Sequence, residues 1–317
     1  MDTAQLEYEL PPELIAQRPA KRRDESRLLV FDRGTGDVRH RRFSELPDEL
    51  GGELVVVNDT RVIPARLRLQ REGGGEAEVL LLERVGDDGV WEGLARPSRR
   101  LRPGQRLGPV ELVESLGGGR WLLRLEGEPA GEAPLPPYIT EPLQDPERYQ
   151  TVYAREEGSA AAPTAGLHFT PELLSRLDLA RVTLHVGLDT FRPVEAETLE
   201  EHAIHSERYE VAPAEWIRIR DAERVLAVGT TTVRVLESAK RSEGKLVAQE
   251  GSTSLFLHPP QQLKYTDHLL TNFHLPRSTL LMLVSAFAGR EFVLTAYREA
   301  IREGYRFYSY GDCMLIL

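Results

Sequence analysis

The sequence predicts a discontinuous α/β domain broken by a small all-β insertion. Leu54-Val55-Val56-Val57 is a short, wholly apolar run, as expected of a strand covered on both faces of a sheet. Between Ile63 and Tyr149 no helical period is seen. The apolar stretches Ala77–Leu82, Val90–Leu94, Val110–Val113 and Trp121–Leu125 alternate there with Gly-rich turns, the spacing of a small barrel or sandwich. After Tyr149, strand and helix patterns alternate again. The expected division is residues 1–62 and 150–317 for the α/β unit and 63–149 for the insertion.

The elements follow in order. Ser26–Asp32 reads as a strand, Gly34–Asp37 as a turn and Val38–Phe43 as the hairpin partner. Leu54–Val57 ends in Asn58-Asp59-Thr60-Arg61, a polar cluster where open α/β sheets place ligands. Pro134–Ile139, extended by proline's fixed φ, reads as the strap out of the insertion. Thr170, Pro171 and Glu172 are an N-cap, an N1 proline and an early acid, opening a helix over Glu172–Leu177. Arg181–Val186 and Arg224–Val228 are strands. Thr232–Glu243 is a helix closed by Gly244. Phe292–Glu303 is amphipathic, with Val293, Leu294, Tyr297 and Ile301 on one side, and closes at Gly304.

At 317 residues the chain has room for about two domains. Its 41% hydrophobic and 28% charged content is that of a globular protein. The apolar run Leu280–Ala288 is far short of the ~20 residues that cross a bilayer. The N-terminus has no signal layout, and Cys313 is the lone cysteine, which excludes an internal disulfide and multi-thiolate metal sites. A cytoplasmic protein is expected. The net charge of −10 argues against nucleic acid only weakly, because local patches steer more than the total. Arg96–Arg106 carries five arginines and no acid, and Lys21-Arg22-Arg23 is a second basic run.

Several polar clusters are candidates for chemistry. Asn272-Phe273-His274-Leu275-Pro276-Arg277-Ser278-Thr279 leads into an apolar segment. Ser278 or Thr279 can cap the helix start, and its amides attract an anion, but capping does not explain Asn, His and Arg together. Gly158–Phe169 is a run of small side chains, including Thr164 and Gly166, that ends near His168; small residues let backbone approach a ligand closely. His185 lies inside a strand and reads as a core histidine. The strand's exit offers Asp189 and Arg192, a carboxylate and an anion clamp. In Glu201–Glu207, His202 and His205 fit hydrogen bonding near a substrate better than a metal site, since no third ligand is specified. Thr230, Thr231 and Arg234 stand at a strand–turn–helix junction suited to a carboxylate or phosphate. Phe307–Asp312 offers stacking faces and a carboxylate, with core packing an adequate explanation of its aromatics. No dinucleotide or P-loop fingerprint is present.

The order of these clusters resembles the S-adenosylmethionine:tRNA ribosyltransferase-isomerase family of queuosine biosynthesis from end to end. The matching segments are Tyr8–Pro12 with Ile15–Gln17, Asn58–Leu67, Pro134–Ile139, Tyr149–Thr170, His185–Pro193, His202–Glu207, Gly229–Ser238, Leu269–Gly289 and Phe307–Asp312. Arg277 stands where lysine is more usual, His258–Gln261 departs from an aromatic-richer segment, and Cys313 replaces a small residue. The resemblance implies an α/β domain with an inserted β-barrel domain. It implies an enzyme that moves the ribosyl group of S-adenosylmethionine, with isomerisation, onto the 7-aminomethyl-7-deazaguanine wobble base of tRNA. Epoxyqueuosine-tRNA, adenine and methionine are the implied products. S-adenosylmethionine is then a consumed substrate, and neither a resident cofactor nor a metal is expected.

That chemistry needs a base at the ribose carbon beside the sulfonium, deprotonation of the aminomethyl group and a donor for departing adenine. His168, His205 and His274 are the acid–base candidates. Asp59 or Asp189 would hold the aminomethyl group or orient a histidine. Arg61, Arg192 and Thr231 are candidates for anion contacts and Asn272 for adenine or ribose. Thr164, Gly166, Thr230, Arg234 and Arg277 complete the expected substrate contacts. Arg96, Arg99, Arg100 and Arg102 are the candidate tRNA phosphate contacts. A monomer with no membrane partner is expected. Two competing readings are a metal-dependent hydrolase built on the Glu201–Glu207 histidines and a non-catalytic RNA-binding protein.

Overall fold

The computed structural model describes residues 3–86, 88–187, 206–239 and 250–317. Before the insertion come strands β1 (Arg27–Phe31), β2 (Val38–Arg42), β3 (Leu54–Asn58) and β4 (Thr60–Val62). The insertion holds β5 (Arg66–Gln70), β6 (Glu76–Arg84), β7 (Val90–Arg96), β8 (Arg106–Leu107), β9 (Val110–Gly117) and β10 (Arg120–Leu125). The chain then runs through β11 (Glu156–Ser159), α1 (Pro171–Leu174), β12 (Leu179–Leu184), β13 (Glu207–Glu210), α2 (Pro213–Asp221), β14 (Val225–Val228) and α3 (Thr230–Ala239). It ends with β15 (Glu250–Thr253), β16 (His268–Asn272), α4 (Thr279–Ala288), α5 (Arg290–Arg302) and β17 (Cys313–Ile316).

A nine-stranded mixed sheet in the order β15-β13-β12-β3-β14-β16-β17-β1-β2 is the frame. Its centre, β12-β3-β14-β16, is parallel. The apolar run of β3 has two-sided cover: Leu54 and Val56 pack into one cluster with Trp216, Ile219 and Val233, whereas Val55 and Val57 join Phe43, Phe169 and Leu173 on the other face. A strand with a core on each side has no solvent face to alternate toward.

The second sheet is antiparallel and barrel-like, in the order β5-β6-β7-β10-β9-β8, around Val79, Leu81, Trp91, Trp121 and Leu123. Its strands run from Arg66 to Leu125 and lie within the expected insertion. The chain enters and leaves it side by side, because β4 pairs in parallel with β11. The Gln150 side chain strengthens this junction: its Oε1 accepts from the Val62 amide at 3.0 Å and its Nε2 donates to the Val62 carbonyl at 2.8 Å.

Some elements differ from the sequence expectation. The helix at Thr170 is one turn, Pro171–Leu174, because only four residues separate it from β12. Thr170 does cap it, accepting from Leu173 N at 3.2 Å. β12 ends at Leu184, so His185 follows the strand instead of lying inside it. Helix α3 starts at Thr230, two residues earlier than expected, because Gly229 at φ +85° turns the chain directly out of β14; the expected end at Glu243 lies outside the described residues. Ser278 caps α4, accepting from Leu281 N at 3.2 Å. Gly289, at φ +89°, then bends α4 from α5 by 113°. No single helix among the described residues is long and apolar enough to cross a membrane.

Candidate active site

The C-terminal ends of the parallel strands meet at one cleft, the position that open α/β sheets use for ligands. Asn58, at the end of β3, holds the strand ends together. Its Oδ1 accepts from the amides of Leu184 (3.0 Å) and Thr60 (3.2 Å), and its Nδ2 donates to the Leu184 carbonyl (2.9 Å) and Thr231 Oγ1 (3.3 Å). Four bonds on a buried amide leave its geometry no slack. Thr230 and Thr231 stand at the start of α3 and line the cleft with Thr164, Asn272 and His274. Thr164 Oγ1 donates to Asn272 Oδ1 at 2.9 Å.

A hydrogen-bond chain runs back from Asn272. Its Nδ2 lies 3.4 Å from His168 Nε2, and His168 Nδ1 lies 2.8 Å from Ser26 Oγ, which donates to the Arg23 carbonyl at 3.2 Å. The hydroxyl proton goes to the Arg23 carbonyl, so Ser26 Oγ accepts from His168 Nδ1–H while Nε2 accepts from the Asn272 amide, the neutral Nδ1–H tautomer. Burial, then the Arg306 and Arg23 charges, lower its pKa to about 3. His274 Nε2 lies 2.7 Å from Thr271 Oγ1. Burial lowers its pKa to about 3 as well. Its backbone is fixed at both ends: the amide donates to Tyr297 Oη at 2.8 Å and the carbonyl accepts from Tyr8 Oη.

This neutrality has a measurable consequence. A histidine whose pKa is lowered on folding binds its proton more tightly in the unfolded chain. Its stabilising contribution is therefore full above pH 6.5 and is lost as pH falls from there toward about 3. Each of the two costs up to about 1.4 kcal/mol per pH unit inside that window. The urea midpoint should fall steadily from pH 7 to pH 4.5, and less steeply in His168→Asn; equal slopes in the two proteins would contradict the assignment.

One wall of the cleft is aromatic. The Tyr138 and Tyr308 ring centroids are 4.8 Å apart, and Tyr138 Oη lies 2.7 Å from Ser309 Oγ. Tyr308 has φ +70°, costly for a bulky side chain. Two backbone bonds hold it there, from its amide to the Phe273 carbonyl (3.1 Å) and from Gly311 N to its own carbonyl (3.0 Å). The sequence offered Phe307–Asp312 as stacking faces and a carboxylate, with core packing an adequate alternative, and Tyr138 as part of a strap. A strained backbone on a tyrosine leaves no composition signal.

The other expected site residues lie elsewhere. Asp59 is buried, accepting from Thr183 Oγ1 at 2.7 Å and from Arg155 Nη2 at 2.8 Å and Nε at 3.2 Å, so its carboxylate is already engaged away from the cleft lining. Arg61 pairs with Glu147 at 2.7 Å. Arg234 is buried against Glu207 and also donates to the Thr253 carbonyl at 3.0 Å. Gly166 is a packing glycine, since a Cβ there would sit 2.0 Å from Tyr153 Oη. Arg277, at φ +54°, donates its amide to the Leu6 carbonyl, with Glu7 3.9 Å from its guanidinium. Asp189, Arg192, His202 and His205 lie outside the described residues. Among the described residues no guanidinium lines this cleft.

A parallel-sheet cleft with neutral histidines, threonines at a helix start and an aromatic wall, beside a barrel insertion, defines a mixed α/β enzyme acting on a polar small molecule. The chain belongs to the queuosine biosynthesis protein family, whose model matches residues 3–316. It is 55% identical to an S-adenosylmethionine:tRNA ribosyltransferase-isomerase of Rubrobacter xylanophilus, over 100% of this chain and 98% of the relative. It is 54% identical to the enzyme of that name from Moorella thermoacetica, over 100% of both chains. The crystal structure of S-adenosylmethionine tRNA ribosyltransferase from Thermotoga maritima is similar with a TM-score of 0.57 and 38% identity, over 99% of this chain and 100% of that one.

Proposed function

We infer that the cleft transfers and isomerises the ribosyl group of S-adenosylmethionine onto the 7-aminomethyl-7-deazaguanine wobble base of tRNA, releasing adenine and methionine. The observation that carries this reading is the convergence of Thr230, Thr231, Asn272 and His274 on one cleft free of guanidinium groups among the described residues, beside Tyr138 and Tyr308. A sulfonium is repelled by cations and attracted to aromatic faces. The methionine carboxylate suits the amides and hydroxyls where α3 begins. The Asn272 amide nitrogen is directed at His168 and the Asp312 carbonyl, and its Oδ1, which accepts from Thr164, keeps a second lone pair for adenine or ribose. His274, uncharged and held by Thr271, is the acid–base candidate that lines the cleft. His168 sets the Asn272 side chain from behind and acts through it.

S-adenosylmethionine is consumed as a substrate, and the chemistry needs neither a metal nor a resident cofactor. In the same reading the chain is a cytoplasmic monomer. The decisive experiment mixes the protein with S-adenosylmethionine and precursor tRNA. Adenine should appear in step with a ribosylated wobble base; tRNA binding without adenine would overturn the reaction in favour of a binding protein.

The arginine-rich segment of the insertion supplies the RNA contacts in this reading. Arg96, at the end of β7, and Arg99, Arg100 and Arg102 just after it are all exposed, and no carboxylate partner is present for them among the described residues. Replacing all four with alanine should weaken tRNA binding and flatten its salt dependence by about 0.7–0.9 in log–log slope for each phosphate no longer neutralised. An unchanged slope would remove this face from the RNA-binding surface.

A further inference from the structure

Arg23, the last residue of the basic run Lys21-Arg22-Arg23, lines a second small cavity behind the main cleft. Its walls include Ala20, Arg23, Arg148, His168, Ser309 and Tyr310. Ser309 also lines the main cleft, and Asn272 reaches His168 from that side. The two cavities therefore stand back to back across the His168–Asn272 pair.

The electrostatics of this cavity are unbalanced. Arg23 donates to the Leu167 carbonyl (3.0 Å) and the Glu147 carbonyl (2.7 Å), and Arg148 to the Lys21 carbonyl (3.2 Å) and the Ala20 carbonyl. All four acceptors are neutral. Neither guanidinium has a carboxylate within ion-pair distance among the described residues. Of the nearby acids, Glu147 pairs with Arg61, Asp145 accepts from the amide of Glu147, and Asp24 meets Arg22 through Oδ2 while its Oδ1 is buried without a hydrogen-bond partner. Burial, then the Arg148 charge, lower the Arg23 pKa, and the Asp145 and Glu147 charges offset this only in part, so the two cations repel each other across the hollow. Two polar atoms are also left over: Tyr310 Oη and Arg148 Nε are buried with no hydrogen-bond partner. Tyr310 is 3% exposed, so bulk water does not satisfy it. Two cations and an orphaned hydroxyl around one hollow call for an oxyanion.

We propose that this cavity binds a phosphodiester oxygen of the tRNA strand, at a phosphate flanking the wobble nucleotide. The hollow is about 20 Å³, and a single water needs roughly 10–15 Å³ on that measure, so it admits an oxyanion's oxygen and not a base. The main cleft already has an anion site for the methionine carboxylate at the start of α3. The second oxyanion is therefore assigned to the RNA. Lys21 and Arg22, next to Arg23 in the chain, are exposed and add positive charge near this face, Arg22 in part balanced by Asp24 and Glu25. A phosphate gripped here would fix the strand while its base enters the neighbouring cleft, as enzymes that extrude a nucleotide require. The proposal rests on the ribosyl-transfer reading of that cleft.

The test uses the full chain, S-adenosylmethionine, precursor tRNA and an anticodon stem-loop carrying single methylphosphonates beside the wobble position. Arg23→Gln should raise the KM for tRNA about tenfold and lower the salt slope of binding by about 0.7, the value for one single-strand phosphate. The KM for S-adenosylmethionine should not change. Tyr310→Phe, which removes one hydroxyl from a packed core, should raise the KM for tRNA a few-fold. One neutral methylphosphonate should weaken wild-type binding about tenfold and weaken Arg23→Gln no further. A rise in the KM for S-adenosylmethionine alone would assign the cavity to the carboxylate and overturn the proposal. So would additive effects of variant and methylphosphonate, or a wild-type enzyme insensitive to neutralisation of either flanking phosphate. The last comparison needs no variant to fold. Absence of adenine release by the wild type counts against the ribosyl transfer itself, whereas phosphate insensitivity in an enzyme that does release adenine defeats this site alone.

Discussion

Replacing His274 with alanine should slow adenine release at saturating substrates by about 10²–10⁴-fold, the usual worth of a positioned acid–base group. The side chain lines the cleft, its Nε2 meets Thr271 Oγ1 at 2.7 Å, and its backbone is bound at both ends by tyrosine hydroxyls. The ring is thus placed by its surroundings, and truncation should remove chemistry more than structure. Thr271→Val, which frees Nε2, should give a smaller loss, in kcat more than in KM. Because the His274 pKa is lowered to about 3, its own titration should put no inflection between pH 6 and 7 in the rate profile. A folded His274→Ala variant with a near-native rate would take this residue off the catalytic path.

Replacing Glu207 with alanine should destabilise the chain by about 3–5 kcal/mol, the cost of stranding one member of a buried ion pair. Glu207 opens β13 and pairs with Arg234 on α3, with side chains 9% and 12% exposed. The same carboxylate accepts the Gly187 amide at 3.0 Å, just beyond β12. Removing it leaves a buried guanidinium and an unbonded amide at once. Arg234→Met should cost a similar amount. The double variant should cost less than the two added together, because the second change removes the group that the first left uncompensated. Strict additivity in urea unfolding would refute the coupling. Arg234 thus follows the packing logic of α3 against β13 instead of the anion-binding role its place near a helix start suggests.

The fold was legible where local chemistry decides the outcome. Two-sided cover makes β3 continuous and apolar, capping announces α1 and α4, and Gly-rich turns separate the strands of the insertion. The elements passed over were β4, β5, β8, β11, β13, β15, β16, β17 and α2. Their signals are short or compete with charge, and their places are set by partners distant in the chain, as when β17 pairs with both β1 and β16. The site was legible by residue type and less so by position. Thr164, Thr230, Thr231, Asn272 and His274 line the cleft, since polar residues at strand ends have few other uses. The arginines misled, because a guanidinium in a sequence does not reveal whether a carboxylate waits for it. Glu147 claims Arg61 and Glu207 claims Arg234. The aromatic wall was legible only in part: Phe307–Asp312 offered stacking faces, but Tyr308 meets the cleft through a backbone conformation that sequence does not encode locally.

The junction at Gln150 bears on how this architecture tolerates change. With β4 and β11 paired and the Gln150 amide clasping Val62, the two ends of the insertion are already closed onto each other. Entropy of closure grows only logarithmically with the length enclosed, about 0.6 kcal/mol for each doubling. Hairpins added to or trimmed from the insertion should therefore cost the main sheet little. The insertion can be remodelled without retuning the strand ends that line the cleft.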